Sequence, residues 1–326
     1  MHTRRGLATV IALVVTSASL AGLVATALPT PAAADDPVLI NWPSLLPSWT
    51  DAYVPNSDND CVAGRPNCVD ITIREMQRRF DGLAQSCDHN AVFSLAYLRT
   101  TQTYKWARDQ QGFFNDTPWV NHEDAVFGRY YFDAYDDWAA GNRSAVPKAW
   151  LIAFDAARDK AVNGNGDLLL GMSAHVNRDL PYVLAAISIT TPDGTSRKPD
   201  HDKVNEFLNA VTEPLLAELA TRFDPVIFNV PTPYGVGYTA FFQLIQAWRE
   251  TAWRNAEALT NASSDAVRSQ VAQNIEDYAA STSAAIAASQ AYLPPITTSA
   301  SRDAYCSLHN GDAAPMSYAF GMPAAW

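Results

Sequence analysis

Along most of this 326-residue chain, apolar side chains return every three or four positions, the period of one helix face. The pattern predicts an all-α fold: one helical-bundle domain with a kinked central helix, an extended N-terminal loop and a C-terminal tail. Residues 69–84 carry Ile71, Ile73, Met76 and Phe80, and residues 91–109 carry Phe93, Leu95, Leu98 and Tyr104. Aromatic residues crowd a third helix over 122–140, from Phe127 through Tyr130, Tyr131, Phe132 and Tyr135 to Trp138. Pro147 suits the first turn of the next helix, where a missing N–H costs nothing. That helix stops at Asn163-Gly-Asn-Gly166, and Asp167 is the expected cap of a central helix over 168–189, bent at Pro181. Further helices are expected over 200–223, 241–259 and 263–293, the last Ala-rich and on the outside. Val226-Ile-Phe-Asn-Val230 is the one strand-like run, and residues from Pro294 onward read as loop.

The first 34 residues stand apart from this pattern. Arg4 and Arg5 precede an apolar, Ala-rich stretch, and Thr30-Pro-Ala-Ala-Ala34 supplies small residues before Asp35-Asp36. That order predicts a secretory signal peptide, hence a secreted protein with no membrane span left after processing. The paired arginines also suit twin-arginine export, and the route stays open. Four cysteines follow, Cys61, Cys68, Cys87 and Cys306, and an even number in an exported chain predicts two disulfides. Cys61 and Cys68 lie close together in a loop rich in Asp, Asn, Pro and Gly, so they close a small ring; Cys87 with Cys306 then ties the first long helix to the tail. The expected segments are a signal peptide (1–34), an extended segment with the cysteine ring (35–68), a helical domain (69–293) and a tail (294–326). Removing Arg4 and Arg5 takes the formal charge from −11 to −11 − 2 = −13. Such acidity opposes binding to nucleic acid or anionic membrane. With 48% hydrophobic and only 17% charged residues, the chain suits a packed globule.

The best lead to chemistry is polar residues set inside an apolar run. Gly171-Met-Ser-Ala-His-Val-Asn-Arg-Asp-Leu-Pro-Tyr182 places four such groups in a helical stretch. Taking them out of water is costly unless they are paired, hydrogen-bonded or bound to a metal. His175 and Asp179 are four apart and share a helix face, with Arg178 nearby; Asn177 points to a different side. Pro181 frees the carbonyl of Asn177 one turn earlier. A structural hydrogen-bond network is one reading of this cluster. A second is a divalent metal site, zinc for example, since helical His-x-x-x-Asp presents two ligands to one cation. A third ligand is then needed, and His201 is the best placed, ahead of Asp200, Asp202, His122, Glu123 and Asp133. Without metal, His175 oriented by Asp179 serves as a general base.

Two further polar clusters stand outside this run. Arg249 and Trp253 share a face and could bound an anion or aromatic ligand, while Glu250 and Arg254 make a surface pair. Asp133, Asp136 and Asp137 read as structural. The chain has no Gly-x-Ser-x-Gly elbow, no phosphate loop, no Gly-x-Gly-x-x-Gly and no His-Glu-x-x-His.

Tyr131-Phe-Asp-Ala-Tyr135, Pro147-Lys-Ala-Trp150, the run from Leu170 to Pro181, His201 to Asn205 and Arg249 to Trp253 together carry a resemblance. They resemble an actinobacterial secreted family of domains of unknown function, marked by an Ala-His-x-Asn-x-Asp-Leu-Pro helix. The resemblance covers most of residues 69–260 and implies a helical fold, with no activity to carry over. Its motif positions are His175, Asn177, Asp179, Leu180 and Pro181. The His175–Asp179 pair is also similar to the His-x-x-x-Asp of helical zinc phospholipase C and single-strand nucleases. The chain departs from them: no histidine follows shortly after Asp179, and six histidines are too few for a trinuclear site.

The leading expectation is a hydrolase acting on a small-molecule or lipid-like substrate. His175, Asp179, Asn177 and Arg249 are its catalytic residues, and His175, Asp179 and His201 hold one divalent metal. The alternative is a non-catalytic secreted protein that binds an apolar or aromatic ligand. Tyr131, Trp150, Tyr182 and Trp253 are the expected ligand-binding residues of its aromatic-lined pocket.

Overall fold

The computed structural model describes residues 51–227 and 236–314. The expected signal peptide, most of the expected extended segment, the end of the strand-like run and the last part of the tail lie outside the described residues. The helices are α1 (Pro66–Gln85), α2 (Ala91–Asp109), α3 (Thr117–Ala139), α4 (Lys148–Arg158), α5 (Gly164–Ser173), α6 (Leu180–Ile187), α7 (Lys198–Arg222), α8 (Val236–Thr260), α9 (Asp265–Gln290) and α10 (Ala300–His309). Among the described residues no strand forms, and only isolated bridges join Val162 to Ala291 and Thr190 to Ser196. None of the described helices is long and apolar enough to cross a membrane.

Local chemistry sets where these helices begin. α3 starts five residues before the aromatic run suggests, because Asp116 caps it by accepting from the Trp119 N–H (3.2 Å) and Pro118 fits its first turn. α5 is capped by Asn163, which accepts from the Gly166 N–H, and not by Asp167. Asp167 instead turns inward, 2.8 Å from the buried His89. α1 buries Val69, Thr72, Met76, Phe80 and Leu83, which leaves Ile71 at 43% exposure on the opposite side. The tail holds a short helix where loop was expected: α10 buries only Arg302 and Cys306, too few residues to give an apolar signal. Both disulfides form as expected, Cys61 with Cys68 and Cys87 with Cys306.

The central helix is interrupted by a change of helical register. Between α5 and α6, residues Ala174–Asp179 wind as a π-helix, and the Leu180 N–H donates to the carbonyl of His175, five residues back. Pro181 follows and has no N–H, so resetting the ladder here sacrifices one bond fewer than it would elsewhere. π turns are rare and concentrate at functional sites. All six residues of this one are buried. α3, α4, α8 and α9 all pack on it. α2 also lies close: a Cβ at Gly171 would fall 2.3 Å from Cγ of Phe93, so only glycine lets α5 and α2 approach this far. α9 is less peripheral than its composition suggests. It buries Ala272, Ile275, Glu276, Ala279, Ala280 and Ser283, and Glu276 reaches the π turn.

Candidate functional site

The π turn carries the His–Asp pair into the interior. His175 is 3% exposed, and its Nδ1 lies 3.1 Å from Oδ2 of Asp179, which has no exposed surface. The same oxygen accepts the indole N–H of Trp150 at 2.8 Å, and Oδ1 accepts from Arg178 Nη1 at 3.1 Å. Arg178 in turn donates to Glu276 (2.8 Å) and lies over the ring of Tyr182, whose hydroxyl donates to the carbonyl of Ala272. The buried carboxylate is therefore fully answered, as a buried charge must be.

That arrangement fixes the imidazole's chemistry. A carboxylate only accepts, so Nδ1 carries the proton and Nε2 keeps its lone pair. Burial pushes the His175 pKa down, against the pull of Asp179, and favours the neutral ring. The ring stacks on Phe127, with centroids 3.4 Å apart, and meets Tyr97 edge-on at 4.4 Å. Its Nε2 is buried and has no hydrogen-bond partner.

His175 belongs to the wall of a cavity of about 120 Å³. Most of that wall is apolar, including Phe93, Phe127, Val176, Phe207 and Ile245. Five buried polar atoms on lining residues lack any partner: Tyr97 Oη, Thr101 Oγ1, Glu123 Oε2, Asp124 Oδ2 and His175 Nε2. Buried polar groups are normally satisfied. Five exceptions gather around this one cavity. Burial pushes the Glu123 carboxyl up to about 7, with Arg249 pulling the other way. Asp124, half-buried as a residue but with Oδ2 enclosed, is pushed up to about 8 by burial and by Glu123, against Arg108. Arg249 also lines the cavity, and burial brings its guanidinium down to about 10 despite Glu123.

The other residues expected at a site are placed differently. His201 donates from Nε2 to the Arg249 carbonyl (3.2 Å) and accepts at Nδ1 from Arg249 Nη2 (3.2 Å). Both ring nitrogens are engaged, so His201 has no lone pair left for a cation. Among the described residues no group of three or more His, Cys, Asp or Glu gathers as metal ligands, and the set His175, Asp179, His201 does not form. His122 points both nitrogens at the carbonyls of Cys61 and Asp51, and so staples the cysteine ring to α3. Asn177 turns away, as its register predicts, and its amide donates to Ser173 Oγ.

None of Tyr131, Trp150, Tyr182 and Trp253 lines the cavity; they form the layer behind it. Tyr131 packs on Phe93 at 5.1 Å, Trp150 anchors Asp179, Tyr182 lies under Arg178, and Trp253 packs on His201 and bonds Glu257. Glu250 and Arg254 make the expected exposed pair at 2.8 Å. Asp136 pairs with Arg79, outside the cavity. Sequence reading missed Tyr97, Thr101 and Asp124, and took Glu123 only as a spare ligand. Their one signal is the adjacent pair Glu123-Asp124, which stands immediately before the apolar Ala125-Val-Phe127.

Comparison with known proteins gives one result. No curated protein and no solved structure matches the chain. The chain does belong to the Family of unknown function (DUF5995), which matches residues 69–289 and so takes in every residue of the cavity wall.

Proposed function

We propose that this member of the family is a secreted hydrolase, with the cavity as its active site and His175, oriented by Asp179, as its general base. The substrate is a small, largely apolar ester or amide. An apolar cavity of roughly 150 Å³ admits benzene, so a space of about 120 Å³ suits a reacting portion of about six heavy atoms. Water adds to the carbonyl carbon while Nε2 takes its proton. The imidazolium, steadied by Asp179, then gives that proton to the leaving alkoxide or amine as the C–O or C–N bond breaks. Arg249 faces the same cavity and supplies positive charge for the developing oxyanion. The donor set does not fit a metal, and no step runs through one.

The observation that carries this reading is the buried, partnerless Nε2 of His175, held in its basic tautomer at a cavity wall. The two disulfides support export. A second reading, binding without turnover, is favoured by the apolar wall. The deciding assay is pH-stat hydrolysis of a panel of short esters and amides, neutral and amino-bearing, by wild type and His175→Ala. Turnover lowered about 100-fold or more by the substitution supports the base. Equal rates from two folded proteins refute it. Binding of panel members with no turnover moves the protein to the second reading.

A further inference from the structure

We infer that the ligand of this cavity carries one positive charge: a small primary ammonium on an apolar body, met by Glu123 and Asp124 and by the surrounding aromatic faces. The inference rests on the cavity being a ligand site, as proposed above, and adds the ligand's chemical class.

Donor and acceptor counts lead there. Nε2 of His175 is an acceptor in the tautomer that Asp179 imposes. Oε2 of Glu123 and Oδ2 of Asp124 accept when ionised. The hydroxyls of Tyr97 and Thr101 can do either. With both carboxyls ionised the wall therefore offers three orphaned acceptors. The guanidinium of Arg249, the wall's one cation among the described residues, already donates to Asn205 (3.0 Å) and to the His201 carbonyl (2.6 Å). The cavity is short of donors, and an ammonium brings three.

The charge balance agrees. Two carboxyls and one guanidinium line the cavity, a net of −1 when all are ionised. The neighbouring charges do not cancel it. Asp179 is paired with Arg178, and Arg108 with Asp109. Asp200, which faces Glu123 from α7, is held by the N–H groups of Asn115 and Asp116 (2.7 Å each). One carboxyl is thus left either protonated or matched by a cation from outside. Phe93, Tyr97, Tyr104, Phe127 and Phe207 line the space with aromatic rings, and the faces of such rings attract a desolvated cation.

Calorimetric titration of the full-length mature protein with isobutylammonium and with its neutral isostere, isobutanol, tests this. The ammonium should bind at least about tenfold more tightly at pH 9, where both carboxyls are ionised and the amine is still charged. That preference should fall by about tenfold or more at pH 6, and binding near pH 7 should release protons to the buffer. Glu123→Gln and Asp124→Asn should each remove about tenfold of it. Equal or tighter binding of the alcohol, or a preference indifferent to pH, overturns the inference using wild type alone. Ammonium preference without any ester or amide turnover would sustain the inference while sinking the hydrolase, and turnover without that preference would do the opposite.

Discussion

Replacing Asp179 by asparagine should destabilise the fold far more than its near-identical shape suggests. The carboxylate accepts from His175 and Trp150 at one oxygen and from Arg178 at the other. An amide can present an oxygen on one side only. With its NH₂ toward Arg178, donor faces donor, and a buried guanidinium keeps only Glu276. With the NH₂ on the other side, His175 can switch tautomer and accept, but the Trp150 indole N–H cannot. Either way a buried donor is stranded, which costs about 1–3 kcal/mol, and a charge-assisted bond is lost as well. The total is about 3 kcal/mol, at the lower edge of what breaking a buried ion pair costs. In a domain of this size that lowers Tm by about 6 °C or more. Urea unfolding should show a lower midpoint with an unchanged slope. Trp150→Phe should then cost less in the Asp179→Asn background than in wild type, by about 1 kcal/mol of coupling. A loss below about 1 kcal/mol, or purely additive effects, would refute the claim that this carboxylate organises the π turn.

Other consequences are as direct. Stability should depend on pH with two opposite signs. The His175 pKa is depressed, so its contribution is present above its ordinary value near 6.5 and is lost as pH falls. Glu123 and Asp124 are raised, so theirs is present at acid pH and is lost as pH climbs through about 7 and about 8. Urea melts between pH 6.5 and 8 should therefore show a decline of at most about 1.4 kcal/mol per pH unit per group, and Glu123→Gln should flatten it; a flat wild-type profile would contradict the burial of these carboxyls. Gly171→Ala must push Phe93 aside and should cost about 1–3 kcal/mol, with isobutylammonium binding weakened because Phe93 also lines the cavity. Replacing Cys87 and Cys306 together by serine releases a loop spanning 219 positions and should cost about 2–5 kcal/mol in unfolding experiments, whereas the same change at Cys61 and Cys68, seven apart, should cost less.

How much of this was legible in the sequence depended on range. Helical periodicity located the elements because each depends on neighbours three and four residues away, and Met76, Phe80, Phe93 and Leu95 are buried. The His175–Asp179 pair was equally visible, being one turn of one helix. The π register was not: Pro181 announced an irregularity, but whether it bends the helix or resets its ladder depends on how α8 and α9 pack on it. His201 illustrates the larger limit. Its position at the start of α7 suggested a ligand, yet its fate was decided by Arg249, forty-eight residues on, which occupies both its nitrogens. Spacing tells that the aromatic residues Trp150 and Tyr131 are inside, but not on which side of Phe93 they lie. The cavity itself is assembled from α2, α3, the end of α5, the π turn, α7 and α8. Only the fold puts Glu123 and His175 on one wall.

Nitrogen-15 NMR of histidine-labelled protein, with His175 assigned from His175→Gln, reads the central feature itself. The account predicts a proton on Nδ1 and a bare, unbonded Nε2 across neutral pH, with the Nε2 resonance shifting as isobutylammonium fills the cavity. A proton on Nε2, or a resonance that ignores every cavity ligand, would contradict it.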